Sequence, residues 1–241
     1  MISVCIPTYN GEKFILSQLN SILIQLSEKD EIIISDDSSS DNTINLIKSL
    51  KDNRIIISEN NKFRSPVYNM ENALKLAKGD FIFLADQDDI WEDNKVEEIM
   101  KNLQVYNLVI SDASIIDQDE KIITESYFNW KKSGKGFWKN FSKNSYIGCA
   151  MAFDRKILTA SLPFPKKLAM HDVWIGLIAE VIGKVLFLEK KLILYRRHDA
   201  NLTYSINRTE DKLSDNSLLY KLSYRFIILL NIIIRILKSK I

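Results

Sequence analysis

Phe81-Ile82-Phe83-Leu84-Ala85-Asp86-Gln87-Asp88-Asp89 sets four large apolar residues in a row against three carboxylates. A continuous apolar run of this length, bounded by Gly79 and by the polar pair Asp88-Asp89, is expected as a strand covered on both faces, as in a parallel sheet. Ligands of such sheets gather at the carboxyl ends of the strands. In an extended segment residues i and i+2 point the same way, so Asp86 and Asp88 are expected to converge while Gln87 faces elsewhere. Two hard oxygen ligands on one side suit Mg²⁺ or Mn²⁺, and such an ion suits a diphosphate. The alternative is an acidic turn that closes the strand onto a helix starting near Trp91.

Upstream, Glu31-Ile32-Ile33-Ile34-Ser35-Asp36-Asp37 repeats the pattern and gives a second acidic strand tip. Residues 2–6 read as a first strand stopped by Pro7, and Thr8-Tyr9-Asn10-Gly11 as the turn into a helix. That helix carries Phe14, Ile15, Leu19, Ile22 and Leu26 at helical spacing. Ser38 to Asp41 offer N-caps for a second helix. A third strand over 54–58 leads through a polar loop to a helix over 66–78, with Pro66 in its first turn and Gly79 as its stop. Alternation of strand and helix predicts right-handed βαβ units, hence an α/β fold with a mostly parallel central sheet flanked by helices.

Downstream, a helix over 91–103 and a strand over 108–112 are expected. Residues 120–143 then mix aromatics with lysines and lack a clean period, which fits the cover of a binding cleft and equally a poorly packed excursion. Residues 146–154 return to strand character, and 155–162 are helical until Pro163. His171-Asp172-Val173-Trp174 opens a further helix that ends at Gly183. An acid at a helix start is stabilised as the carboxylate, the form a general base needs, and the alternative for Asp172 is a plain N-cap. Residues 185–195 give one or two strands ending in the basic run Arg196-Arg197-His198, and a polar segment follows.

The last stretch, 218–241, is an apolar helix punctuated by Lys221, Arg225, Arg235, Lys238 and Lys240. Its uninterrupted apolar part is shorter than the roughly 20 residues that span a bilayer. Such an amphipathic helix lies on an anionic membrane surface, on a partner or on its own domain. The expected organisation is therefore one domain over 1–205 and a linker with a C-terminal helix over 206–241.

Lys plus Arg number 33 against 31 Asp plus Glu, a formal charge of +2, which gives no reason to expect a nucleic-acid partner. Two cysteines, Cys5 and Cys149, lack metal-ligand spacing and are expected as reduced, buried thiols. The first residues start directly with a strand and carry no secretory signal, so a cytoplasmic location is expected.

In chain order, Ile6-Pro7-Thr8-Tyr9-Asn10, Asp36-Asp37-Ser38-Ser39-Ser40-Asp41, Asp86-Gln87-Asp88-Asp89, Gly148 to Phe153, His171-Asp172-Val173-Trp174 and Tyr195-Arg196-Arg197-His198 resemble the family 2 glycosyltransferases. These have the Rossmann-like GT-A fold, and the likeness covers about the first 205 residues. The last three motifs look most like the rhamnosyltransferase-like branch that builds bacterial O-antigen and capsule. The resemblance implies that Pro7, Thr8 and Tyr9 border the nucleotide, Asp36 or Asp37 holds the base, Asp86 faces the ribose and Asp88 the metal, Mn²⁺ or Mg²⁺. It puts Asp172 at the catalytic-base position between His171 and Trp174, which would border the substrate. Arg196 and Arg197 would approach the diphosphate, and His198 the diphosphate or metal.

The implied activity is inverting transfer from a nucleotide-sugar donor, dTDP-rhamnose favoured, to a glycan or lipid-linked acceptor. A peripheral position at the inner face of the cell membrane goes with it. UDP-galactose or UDP-glucose as donor is the alternative, and a catalytically inactive membrane-bound assembly subunit is the reading from another class.

Overall fold

The computed structural model describes residues 1–197 and 218–239. His198, the polar segment after it and the expected boundary at 205/206 lie outside the described residues. Among the described residues nine strands form one sheet in the order β3-β2-β1-β4-β8-β6-β9-β5, with β7 paired to β6. The strands β1 (Ile2–Thr8), β2 (Glu31–Asp36), β3 (Ile55–Ser58) and β4 (Phe81–Leu84) are mutually parallel. They are joined by the helices α1 (Ile15–Leu23), α2 (Thr43–Ser49) and α3 (Pro66–Leu76). The βαβ units expected from the alternation are thus present, and α3 packs on β1 and β2.

The second half extends the sheet in mixed fashion. β8 (Met151–Asp154) runs antiparallel to β4 and to β6 (Leu108–Ile116), while β9 (Val185–Arg196) runs parallel to β6. β5 (Ile90–Trp91) closes the edge against β9, and β7 (Ile122–Thr124) hangs on β6. The remaining helices are α4 (Lys95–Leu103), α5 (Tyr127–Lys131), α6 (Phe137–Ser142), α7 (Arg155–Ser161), α8 (His171–Ile182) and α9 (Leu218–Ser239).

Ile33, Ile34, Val4, Ile6, Ile82, Phe83, Val109 and Phe153 are fully buried, so both faces of the sheet are covered. Each such side chain contributes about 1.5–3 kcal/mol by leaving water. No helix of the described residues is long and apolar enough to cross a membrane.

Several boundaries differ from the sequence reading, each for a local reason. β1 does not stop at Pro7 but runs to Thr8, with Pro7 opposite Ser35 of β2. By strand alternation the missing N–H of Pro7 falls on the β4 side, beyond the last β1–β4 pair at Cys5 and Leu84, so no ladder bond is lost. Trp91 lies in β5, and α4 begins only at Lys95 with Asn94 as its N-cap residue. Residues 148–150 form a 3₁₀ turn in place of the expected strand start, because Gly148 and Cys149 fold beneath His171 and the acidic motif.

Candidate active site

The parallel layer sets Thr8 directly beside Asp36 at the carboxyl ends of β1 and β2. Asp36 is buried, and its carboxylate accepts from Thr8 Oγ1 at 3.0 Å, from the Ser39 N–H at 2.9 Å and from Ser39 Oγ. Asp37 accepts from the Phe63 N–H at 2.6 Å and the Ser65 N–H at 3.3 Å, and so anchors the loop before α3. Both aspartates therefore shape the loops that wall this end of the sheet. Tyr9 stands beside them with 58% of its surface exposed.

Gln87 faces this wall, where the sequence pattern had it turned elsewhere. It clasps the Tyr9 backbone in both directions, Tyr9 N–H to Oε1 at 2.9 Å and Nε2–H to Tyr9 O at 3.1 Å. Gly11 makes room for the clasp, since a Cβ there would meet Oε1 at 2.5 Å.

The acidic motif itself is a turn. β4 ends at Leu84, so the i, i+2 rule does not extend through Asp86 to Asp89. The turn brings Asp86 and Asp89 together with Cys149, with one ligand atom of each within 4.8 Å of the others. Asp89 is fully buried. Its Oδ1 accepts from the Arg196 N–H at 3.0 Å, while Oδ2 has no hydrogen-bond partner among the described residues.

Burial, with the Asp88 and Asp172 carboxylates nearby, pushes Asp86 up to about 7. Burial and the charges of Asp88 and Asp86 hold Asp89 well above the usual carboxylate range. Such shifts mark carboxylates that burial and like charge press toward the neutral form, and the Asp89 oxygen without a partner among the described residues sits in the same crowded turn. Asp86 and Asp89 set two hard carboxylate oxygens within reach of one divalent cation, whereas Asp88, the expected ligand, is not in that group among the described residues. Cys149 does not suit such an ion, because burial and the neighbouring acids keep its thiol neutral.

Lys95 lies behind the motif with its Nζ 3.3 Å from Cys149 O and 4.6 Å from the centre of the Trp91 ring. Burial lowers it to about 7.

Asp172 sits in the first turn of α8, where Met170 is the N-cap residue, so the plain N-cap alternative does not describe it. It is 6% exposed; Oδ1 accepts from the Val173 N–H at 2.7 Å and Oδ2 from Asn144 Nδ2 at 3.4 Å. Burial raises its pKa against the pull of the His171 ring and these hydrogen bonds. Burial lowers His171, whose Nε2 lacks a partner among the described residues and lies 3.0 Å from where a Gly148 Cβ would stand.

Trp174 is not at the cleft. Two helical residues on, a side chain is rotated by roughly 200°, and Trp174 lies in the core with Nε1–H bonded to Ser161 O at 2.8 Å. Arg196 is likewise turned away from the mouth and is 1% exposed. It donates to Asp88 O at 2.9 Å, to the carbonyls of Asp117 and Gln118 at 3.4 and 3.2 Å and to Glu120 at 2.9 Å, and it stacks on Phe14. It bolts the acidic turn to the loop after β6, and its donors are committed there. Arg197 lies over the Trp130 ring at 5.2 Å.

Tyr195 and Asn144 join the site without having been expected there. The acids Asp89 and Asp86 help burial raise the Tyr195 hydroxyl. A polar residue in an aperiodic stretch, as Asn144 is, carries no sequence signal for its partner 28 positions away.

Residues 3–161 match the sequence model of glycosyl transferase family 2. The chain belongs to this family. It is 30% identical over 184 residues to the UDP-Glc:alpha-D-GlcNAc-diphosphoundecaprenol beta-1,3-glucosyltransferase WfgD of Escherichia coli, across 75% of this chain and 70% of that protein. It is 26% identical over 213 residues to the dTDP-rhamnosyl transferase RfbG of Shigella flexneri, across 80% of this chain and 72% of RfbG. Among solved structures, residues 1–349 of S. aureus TarS in complex with UDP superpose with a TM-score of 0.66 at 19% identity. That match covers 81% of this chain and 60% of the TarS chain, so the chain spans less than two thirds of that structure. The fold of this family 2 member is GT-A, as the motifs implied.

Proposed function

We propose that this chain moves a sugar from a nucleoside-diphosphate donor to a hydroxyl of a glycan or lipid-linked saccharide, with inversion at the anomeric carbon. The setting is the assembly of a bacterial surface polysaccharide such as O-antigen or capsule, by a protein working at the cytoplasmic face of the membrane. The observation that carries the reading is the gathering of Asp86, Asp88 and Asp172 at one end of the parallel layer, close enough for the last two to raise the first.

In the proposed reaction Asp172 accepts the proton of the acceptor hydroxyl as its oxygen attacks the anomeric carbon. The bond from that carbon to the diphosphate breaks, and the nucleoside diphosphate leaves. Asn144 steers Asp172 Oδ2. One base and one in-line attack invert the centre without a covalent sugar intermediate. Asp86 would face the ribose and Asp88 the metal, and Mn²⁺ or Mg²⁺ held at this acidic turn would supply positive charge to the departing diphosphate.

Thr8, Asp36 and Asp37 build the base pocket with Pro7, and the exposed ring of Tyr9 offers it a face. His171 borders the acceptor side, Arg197 serves the diphosphate, and His198 serves the diphosphate or the metal. Arg196 acts as a positioning residue. The transferase domain is assigned to 1–205 and the linker with the C-terminal helix to 206–241.

For the donor, dTDP-rhamnose and UDP-glucose each have a relative named for them, at 26% and 30% identity, which supports keeping both beside UDP-galactose. A binding and hydrolysis panel of UDP-glucose, UDP-galactose and dTDP-rhamnose with Mn²⁺ ranks these donors. Absence of hydrolysis and of transfer with every donor would favour the inactive assembly subunit.

A further inference from the structure

The chain is nearly balanced in charge, yet residues 126–171 contain nine lysines and arginines and a single acid, Asp154. Asp154 is taken up internally, accepting from Asn107 Nδ2 at 2.7 Å and from the Ile157 N–H at 3.0 Å. Lys132, Lys135, Lys139, Lys143, Lys166 and Lys167 are exposed. Trp138 stands among them with 69% of its surface in solvent, edge-on to Phe137 and Phe141 beneath it.

The C-terminal helix lies on the same side. Gly136, at the start of α6, donates to Glu180 of α8, and Arg225 of α9 donates to the Ser142 carbonyl at the end of α6. Arg235 donates to the carbonyls of Leu162 and Pro163. Ile228 and Ile232 of α9 are buried in the core, whereas Phe226 is 65% and Leu230 and Ile233 are each 45% exposed. The α9 sequence contains no acid.

From this basic surface a short path leads to the candidate base. Asn144, next to Lys143, donates to Asp172 and meets the Met170 sulfur at 4.0 Å, and Met170 is 42% exposed.

We propose that α6 and the outer face of α9 form one docking surface for an anionic bilayer, with Trp138 and Phe226 inserted at headgroup depth and the mouth of Asp172 turned toward the lipid. Aromatic and aliphatic side chains ringed by lysines match that boundary, where apolar groups meet hydrocarbon and ammonium groups meet phosphate. A second copy of the chain is the poorer occupant, because the patch would set lysines against lysines. The surface deepens the transferase reading by naming where a lipid-linked acceptor enters, and it stands on observations separate from the chemistry.

The test is sedimentation of the full chain with phosphatidylcholine vesicles containing about a third phosphatidylglycerol, against pure phosphatidylcholine. The parent is expected to pellet with the anionic vesicles and to be released by high salt. Trp138→Ser, Lys139→Ser with Lys143→Ser, and Phe226→Ser with Leu230→Ser are each expected to weaken binding at least tenfold while UDP binding and the thermal melt stay at parent values. Failure of the parent to bind anionic vesicles overturns the proposal. So does parent-like binding by both α6 variants, or a self-association in light scattering that the patch substitutions abolish. Transfer to a soluble acceptor is measured on the same samples: activity without vesicle binding removes the docking surface alone, and vesicle binding without activity removes the transferase reading alone.

Discussion

At the scale of single residues, Asp172 and Arg196 separate two kinds of need. Asp172 is a carboxylate whose burial raises its pKa, which makes it a stronger acceptor of an alcohol proton once ionised. Asp172→Asn is expected to cut turnover by about 10²–10⁴-fold and to leave UDP binding, read by calorimetry, near the parent value. Because the folded pKa is raised, the base is lost at a higher pH than an ordinary carboxylate would be. The acid limb of the kcat profile should therefore lie above the usual carboxylate range, and a limb within that range would remove Asp172 from the role.

Arg196 answers a different need. Its guanidinium is buried and satisfies the buried carbonyl of Asp88, together with the part-buried carbonyls of Asp117 and Gln118 and the exposed Glu120. Arg196→Ala leaves the buried Asp88 carbonyl bare while water can reach the outer acceptors, so urea unfolding should show a loss of about 1–3 kcal/mol. Arg196→Lys should restore little of it, since one ammonium cannot span the same fork. The resemblance put Arg196 beside the diphosphate, whereas its donors are taken up by the Asp88 carbonyl and the loop after β6. What it did not carry is the direction of the side chain, fixed by the loop after β6 and by Phe14.

At the scale of elements, α8 positions the base, and its seat is set by one small residue. A Cβ on Gly176 would stand 2.5 Å from the Tyr146 ring. In a solvent-facing helix Gly→Ala stabilises by about 1 kcal/mol, but here overpacking of about 1–3 kcal/mol opposes it. Gly176→Ala is expected to lower both Tm and kcat, because α8 must shift away from Tyr146 and carry Asp172 with it. A raised Tm with unchanged kcat would show that the seat is slack.

Helices and strands with strong periods, such as α1, β2 and α8, were legible in the sequence. The acidic motif was not fully so: its apolar half gave the strand, but the turn that follows Leu84 replaced alternation with a fold-back that brings Asp86 to Asp89. The 3₁₀ turn at Gly148–Ala150 escaped for a similar reason, since its shape comes from packing under the acids and α8.

At the scale of the molecule, crowded carboxylates make stability depend on pH and on cations. Asp86 moves from an unfolded value of about 3.9 to about 7 in the fold. Between those values the folded state binds more protons, so its stability falls as pH rises through that window. Asp89 and Asp172 are shifted in the same direction. Lys95, lowered to about 7 from about 10.4, acts in the next window. There the unfolded chain binds the extra proton, and stability recovers as pH rises.

In chelator, Tm is expected to decline from pH 5 to 7, with a shallower slope for Asp86→Asn. Mn²⁺ at a hundredfold excess over its Kd should add about 2.7 kcal/mol at pH 7.5 and less at pH 5.5, where protons compete for the same oxygens. An Mn²⁺ effect equal at both values would remove the carboxylates from cation binding.

The sequence by itself determined the α/β class, the parallel first half, the acidic strand tips and the family, because hydrophobic period and motif order are local or nearly local. Only the tertiary structure decided which side chains share the cleft. Gln87, Asn144 and Tyr195 came in, Trp174 and Arg196 went to the core, and the acidic run became a turn with Asp89 and Cys149 at its base. These outcomes rest on contacts between segments far apart in the chain, and on which buried polar groups must find partners, neither of which a run of residue types records.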